Sequence, residues 1–388
     1  MFNFKISKII TTLSLAFFVT AFQTPNLIAA NKTTIEQEST QYTRVAKRPN
    51  VLTTIFFAAS AISGSSALHM PRGMYMQAGC GNKDIVNVLS FDGGTSGGIC
   101  ELVALSQLED RMGKPIHEIF DLAVGASAGC LDIAVLTQPS LSDSSKPIFT
   151  PSEYLEIKKK ESGKIFSKFR LLPSLFDPKG PEELYNSYFG NSTYDHTTMP
   201  RAACVFDIKN LKTRVISSKD TQNTYKTTDV VLSSTAFPFV FPPRLLSPLN
   251  SGGAEYLCID GATLDINPAF NALIKARELY PDAKEFRLLS LGNGIAKGSN
   301  FCVSASKEFF TYLDIVTHLL NLDIDPYEAD ISQALSAAMG NNFIRFAPVI
   351  ANPKAFLGVD LNALEQSTIE YLKTNKNIIP DMIKMLKK

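Results

Sequence analysis

Apolar positions along the chain fall into short runs broken by glycine-rich turns, alternating with stretches where they recur every three or four residues. The first run of this kind, Ile85, Val86, Val88 and Leu89, leads into Asp92-Gly93-Gly94 and predicts a buried strand ending in a turn. Beyond the turn, Leu102, Leu105, Leu108 and Met112 keep helical spacing from about Ile99, and Gly113 ends that helix. A second apolar run, Phe120-Asp121-Leu122-Ala123-Val124, is followed by Gly125-Ala126-Ser127-Ala128-Gly129 and a helix-like stretch at 131–136, a strand, a sharp turn and a helix. Strands at 203–208, 214–217 and 286–291 and helices at 271–279, 309–322 and 361–373 continue the pattern. Strands alternating with helices predict an α/β protein whose mostly parallel sheet is covered on both faces. No repeat or low-complexity tract divides it into tandem domains.

The first 84 residues differ. Lys5 and Lys8 precede an apolar run at 9–22, with small residues at Ala29 and Ala30, the pattern of a signal peptide over 1–30 and hence of a secreted or periplasmic protein. A run of about 14 residues is shorter than the roughly 20 that span a bilayer, so an uncleaved anchor is the weaker reading; an ordinary buried helix is the other alternative. Residues 31–84 form a lead-in, polar and charged from 32 to 50. Its second apolar segment, 51–62, is signal-like as well, and equally compatible with a core or membrane-surface segment.

Composition narrows the function classes. The 388 residues, 45% hydrophobic, suffice for one large domain with a substantial core. Lysine and arginine total 38 against 37 acidic residues, so the basic field of a nucleic-acid-binding domain is absent. Six cysteines, Cys80, Cys100, Cys130, Cys204, Cys258 and Cys302, show no metal-ligand spacing and read mostly as small buried hydrophobes, with pairing of some left open for an exported chain.

The chemistry centres on Gly125 to Gly129, a G-x-S-x-G between a strand and a helix, where glycines permit a tight turn that lifts the Ser127 hydroxyl above the sheet. The turn at 92–98 can present backbone N–H groups to the oxyanion formed on an attacked ester carbonyl. It can also cradle a phosphate, although neither G-x-x-x-x-G-K-[ST] nor G-x-G-x-x-G is matched. A serine nucleophile needs a proton acceptor. Of His69, His117, His196 and His318, only His318 lies late enough in the chain for a Ser-His-Asp triad, and it sits in an apolar helical stretch. Asp260 ends the apolar stretch Tyr256-Leu257-Cys258-Ile259 and precedes Gly261-Ala262; it is either a base with raised proton affinity or a turn cap.

Together these motifs resemble the patatin-like phospholipase family. The family's D-G-G-G-x-R-G, G-x-S-x-G and D-G-[GA] appear in order as Asp92 to Gly98, Gly125 to Gly129, and Asp260 to Ala262. Further likenesses lie at Phe120-Asp121-Leu122, Ala236 to Pro243, Asn267-Pro268 and Leu289-Ser290-Leu291-Gly292. The resemblance implies a three-layer α/β/α fold and a catalytic domain over 85–375, followed by a basic tail at 376–388. It also implies a Ser-Asp dyad without metal or other cofactor, with Ser127 as nucleophile, Asp260 as base, and Gly93, Gly94 and Thr95 around the oxyanion. Asp92, Gly98, Gly125, Gly129, Gly261 and Ala262 support the motifs. Thr95 and Gly97 replace a glycine and a basic residue of the family pattern, which bears on oxyanion geometry and head-group preference.

The implied activity is phospholipase A-type cleavage of fatty-acyl esters at a phospholipid or membrane surface, with an activating protein left open and no nucleic-acid partner. A non-catalytic lipid-binding protein on the same fold is the alternative. Lys158, Lys159, Lys160, Lys164, Lys168 and Arg170, interleaved with Ile165, Phe166 and Phe169, form either a docking face for anionic lipid or a solvated charged face.

Overall fold

In the computed structural model the described residues are 83–94, 98–165, 174, 176–238, 240–296, 324–350 and 360–387. The strands in chain order are β1 (Ile85–Phe91), β2 (Leu122–Ala126), β3 (Arg201–Asp207), β4 (Lys212–Ser217), β5 (Arg244–Leu246), β6 (Tyr256–Asp260), β7 (Glu285–Leu291), β8 (Ile295–Ala296), β9 (Phe343–Phe346) and β10 (Val349–Ile350). The main helices are α1 (Gly98–Met112), α2 (Ile116–Ile119), α3 (Ala128–Thr137), α4 (Pro151–Ile165), α5 (Lys179–Phe189), α6 (Thr227–Ser234), α7 (Ala269–Leu279), α8 (Ile324–Met339), α9 (Leu361–Thr374) and α10 (Ile378–Lys387).

Period-two alternation explains the layers. Val86, Val88, Leu122, Val124, Ala202, Cys204 and Leu288 bury one face of the sheet with Ala272, Leu273 and Ala276 of α7 and Leu335 of α8. Leu89, Phe91, Ala123, Ala203, Val205, Leu289 and Leu291 bury the other face with α1, α3, α4, α5, α6, α9 and α10. A strand that is apolar on both faces needs helices on both sides, and the three-layer α/β/α fold follows. The sheet runs β5-β6-β3-β2-β1-β7-β9 with β4 also on β3. The five strands from β3 to β9 pair in parallel, and β4, β5 and β6 add antiparallel pairs. A short parallel pair joins β8 and β10.

Ile99, Leu102, Leu105 and Leu108 are fully buried along α1, each contributing about 1.5–3 kcal/mol of apolar burial. The segment expected as a basic tail is folded instead. Ile379, Met382, Met385 and Leu386 of α10 are buried at helical spacing among the core residues, and Arg287 Nη1 donates to the Leu386 carbonyl at 3.2 Å. Its lysines occupy the opposite stripe of an amphipathic helix, which is why the end of the chain reads as basic and yet packs.

The lysine-rich stretch is likewise not one charged face. Lys158 is buried, with its Nζ 2.6 Å from both carboxylate oxygens of Asp132, and Lys159 bridges Glu156 and Glu365. Lys168, Arg170, Phe166 and Phe169, the helix expected at 309–322 with His318, and the segments 1–30 and 51–62 lie outside the described residues. Among the described residues no helix is long and apolar enough to cross a membrane. Cys100, Cys130, Cys204 and Cys258 are buried free thiols.

Candidate active site

β2 delivers Ser127 to the surface of the sheet through a turn only small neighbours permit. A Cβ on Gly125 would lie 2.5–2.6 Å from the backbone of Gly129 and Cys130, and one on Gly129 would lie 2.5 Å from the Asp92 carbonyl, far inside van der Waals contact. Ser127 itself takes φ 51° and ψ −122°, a conformation rare for non-glycine residues that costs about 1–3 kcal/mol and is held by its surroundings. Its N–H donates to Ser234 Oγ at 3.1 Å, and Ser234 Oγ donates to the Cys204 carbonyl at 2.7 Å. Its carbonyl accepts from Cys130 and Leu131 in the first turn of α3, so the positive end of that helix lies beside the serine.

Asp260 closes β6 directly beside it. Strand register explains the meeting: Ala126 pairs with Cys204 and Val205 pairs with Asp260, so Ser127 and Asp260 lie at one level on either side of β3. Ser127 Oγ donates to Asp260 Oδ2 at 2.6 Å, while Oδ1 accepts from the Ala262 N–H at 2.7 Å. Burial pushes the Asp260 carboxyl from 3.8 up to about 7, against the downward pull of those two hydrogen bonds. At neutral pH it is therefore divided between carboxylate and acid, and its carboxylate is a far better proton acceptor than an exposed one. His117 and His196 make no contact with Ser127: His117 sits on α2, and His196 Nδ1 lies 3.1 Å from Ser192 Oγ. His69 is outside the described residues.

The glycine turn after β1 lies on the other side of Ser127. A Cβ on Gly93 would sit 3.3 Å from Ser127 Cβ and collide with Ala262, so all three motifs converge at this point. The expected oxyanion set changes in detail. The Gly93 N–H donates to the Ile266 carbonyl at 2.7 Å, which removes it as an oxyanion donor in this conformation. No acceptor among the described residues takes the Gly94 N–H, and Thr95 and Gly97 lie outside them.

Beneath the turn is a charged cluster that motif reading did not reveal. Arg345 of β9 clamps the Asp92 carboxylate with both terminal nitrogens, Nη1 at 2.8 Å from Oδ1, and also donates to Ser290 Oγ. Burial pushes Asp92 above the ordinary carboxylate range and Arg345 pulls it back. Glu101 of α1 accepts the Asp92 N–H at 3.0 Å. Burial first, then the charges of Asp92 and Asp132, push Glu101 well above its ordinary value, with Lys158 opposing. Gly98 faces Asp132 and Lys158, where a Cβ would collide with both. Arg345 carried one sequence signal, a lone cation in Phe343-Ile344-Arg345-Phe346. Glu101 carried none, since a glutamate in the first turn of a helix is ordinary. Among the described residues no group of three or more His, Cys, Asp or Glu side chains is arranged to hold a metal ion.

Fold and site define an α/β/α protein with a strained serine between strand and helix, hydrogen-bonded to a buried aspartate. Residues 89–273 match the family model for Patatin-like phospholipase, and over that stretch the chain is similar to the patatin-like phospholipase family. It is 28% identical over 247 residues to Patatin-like protein 2 of Arabidopsis thaliana, covering 54% of this chain and 60% of the relative. Patatin-like protein 1 of the same plant is 30% identical over 256 residues, covering 56% and 60%. The chain thus spans about three fifths of the length of these curated relatives. The solved structure of VipD from Legionella pneumophila is similar at 14% identity with a TM-score of 0.33, over 79% of this chain and 72% of that one.

Proposed function

We propose that this protein is a lipid acyl hydrolase of the phospholipase A type, with Ser127 as nucleophile and Asp260 as the single general base. The observation that carries the reading is the 2.6 Å hydrogen bond from Ser127 Oγ to a buried Asp260 carboxyl at a positive-φ turn. In the acylation step the Ser127 oxygen bonds to the carbonyl carbon of a fatty-acyl ester and its proton passes to Asp260 Oδ2. Collapse of the tetrahedral intermediate breaks the ester bond, and Asp260 returns the proton to the departing lysolipid alcohol. Water then attacks the acyl-serine as Asp260 takes its proton, the bond from Ser127 Oγ to the acyl carbon breaks, Asp260 returns the proton to Oγ, and the fatty acid leaves. The oxyanion of both steps is stabilised by the N–H groups of the glycine turn and the positive end of α3.

The substrate we propose is a phospholipid or related glycerolipid presented by a membrane or micelle, reached by a protein exported through residues 1–30. Support comes from the family of the matched domain and from the charge pattern of the N-terminus. Fatty-acid release from mixed phospholipid vesicles tests the activity, using protein lacking residues 1–30 beside Ser127→Ala and Asp260→Ala, with and without cell extract. Release by the wild type that vanishes in both variants is expected. A folded protein that binds vesicles and releases nothing under any condition is a lipid-binding protein instead.

A further inference from the structure

The two peptides that flank Gly93 are each held by a partner, the Asp92–Gly93 peptide through its N–H and the Gly93–Gly94 peptide through its carbonyl. The Gly93 N–H donates to the Ile266 carbonyl, and the Gly93 carbonyl accepts from Asn293 Nδ2. Register brings Asn293 there: Phe91 pairs with both Gly125 and Leu291, so Gly93, Ser127 and Asn293 each lie two residues past the same row of the sheet. In a trans peptide the carbonyl and the following N–H point to opposite edges. A Gly93 carbonyl turned to Asn293 therefore turns the Gly94 N–H away from Asn293, with no acceptor for it among the described residues. Gly94 has φ +149°, and a Cβ there would run into the Asn293 amide, so side chain and glycine are fitted to each other. Asn293 Oδ1 is buried and without a hydrogen-bond partner among the described residues. A buried amide that leaves its own acceptor unsatisfied is costly as packing, and among the described residues its side-chain hydrogen bond is the hold on the Gly93 carbonyl.

We propose that Asn293 is a positioning residue that aims the Gly94 N–H at the oxyanion formed on Ser127; the inference rests on the reading of Ser127 as nucleophile. Asn293 makes no hydrogen bond to Ser127 or Asp260 and acts through the Gly93–Gly94 peptide. Freed from it, the peptide can rotate, and the donor is no longer pre-set when charge develops on the carbonyl oxygen. Asn293→Asp keeps the shape, removes the donor and places negative charge against the Gly93 carbonyl; Asn293→Ala removes the contact.

The test uses the full chain, acting on a soluble p-nitrophenyl acyl ester and on phospholipid vesicles. Both variants should lower kcat by about 10–100-fold, part of the range for losing an oxyanion donor outright. KM should stay within about twofold, because ground-state binding does not use the pre-set donor. Affinity for a fatty-alkyl trifluoromethyl ketone, which forms an oxyanion adduct on a serine, should fall by the same factor as kcat. The midpoint of the pH–rate profile should not move in Asn293→Ala, which adds no charge near Asp260. If Asn293→Asp does not fold, Asn293→Ala and Asn293→Ser carry the measurement, with thermal melting as the check. Unchanged kcat in the folded variants overturns the proposal, and so does a loss that appears in KM or the pH midpoint while ketone affinity is kept. A wild type indistinguishable from Ser127→Ala on both substrates removes the nucleophile reading, and the role of Asn293 with it. An active wild type with an equally active Asn293→Ala removes only the latter.

Discussion

Replacing Asp260 by asparagine should make the protein more stable and inactive, and the gain should depend on pH. The carboxyl is buried, receives hydrogen bonds only from Ser127 Oγ and the Ala262 N–H among the described residues, and is pushed up to about 7 by burial. Its unfolded value is near 3.8, so between about pH 4 and 7 the folded protein keeps a proton that the unfolded chain releases. The stability this group contributes is complete below the unfolded value and is lost as pH rises through the folded one. Above pH 7 the wild type carries a buried carboxylate with no cation paired to it among the described residues. At about 1.36 kcal/mol for each tenfold change in proton affinity, the gap amounts to at most about 4 kcal/mol. Asparagine has nearly the same shape, its oxygen can keep the Ala262 N–H, and its amide can donate to Ser127 Oγ. Urea denaturation of wild type and Asp260→Asn at pH 5, 6, 7 and 8 should show a stability difference that grows with pH, reaching about 1–4 kcal/mol at pH 8. Hydrolysis should be lost at every pH. A difference equal at pH 5 and pH 8, or an asparagine variant less stable than wild type at pH 8, refutes the reasoning.

The same carboxyl sets the pH dependence of turnover: kcat/KM for a soluble ester should rise with pH and level off with a midpoint at about 7, and a midpoint near 4 would remove Asp260 as base. Gly129→Ala puts a Cβ 2.5 Å from the Asp92 carbonyl and 2.8 Å from Phe91. It should cost about 1–3 kcal/mol or more of stability by chemical denaturation, while Gly163→Ala, whose Cβ meets nothing within 4 Å, should cost none. Arg345→Met leaves the Asp92 carboxylate buried without its guanidinium and should cost about 3–5 kcal/mol. Adding Asp92→Asn should recover part of that loss, and strict additivity of the two changes would show that the pair does not act as a unit.

The layers were legible because the parallel strands carry apolar residues at both parities: Val86 and Val88 against Leu89 and Phe91 already announce two covered faces. α10 was misread because Lys384, Lys387 and Lys388 outweigh Ile379, Met382 and Met385 when composition is read without its helical period. Lys158 was misread for a related reason. A lysine triplet looks solvated, but only the side chain facing α3 meets Asp132, and nothing in a linear string tells which of three adjacent lysines points inward. At the site, the positions of Ser127 and Asp260 were readable because their neighbours Gly125, Gly129 and Gly261 are forced: a Cβ on Gly261 would meet the Cys204 carbonyl carbon at 2.5 Å. Forced glycines leave a mark in the sequence, and ordinary residues that assist them do not.

Strand register is the step that sequence could not supply, and it decides which residues form the site. Gly93, Ser127 and Asn293 are brought side by side because β2 and β7 both align on β1 at Phe91, and Asp260 joins them through Val205. A shift of one residue in any of these pairings would exchange the side chains packed on the two covered faces and move the strand's site residue out of the row. The apolar alternation that buries the sheet therefore also fixes the alignment of serine, carboxylate and glycine turn. A core change that lets β7 slip should disturb the oxyanion side through Asn293, while β2, β3 and β6 keep Ser127 and Asp260 in contact.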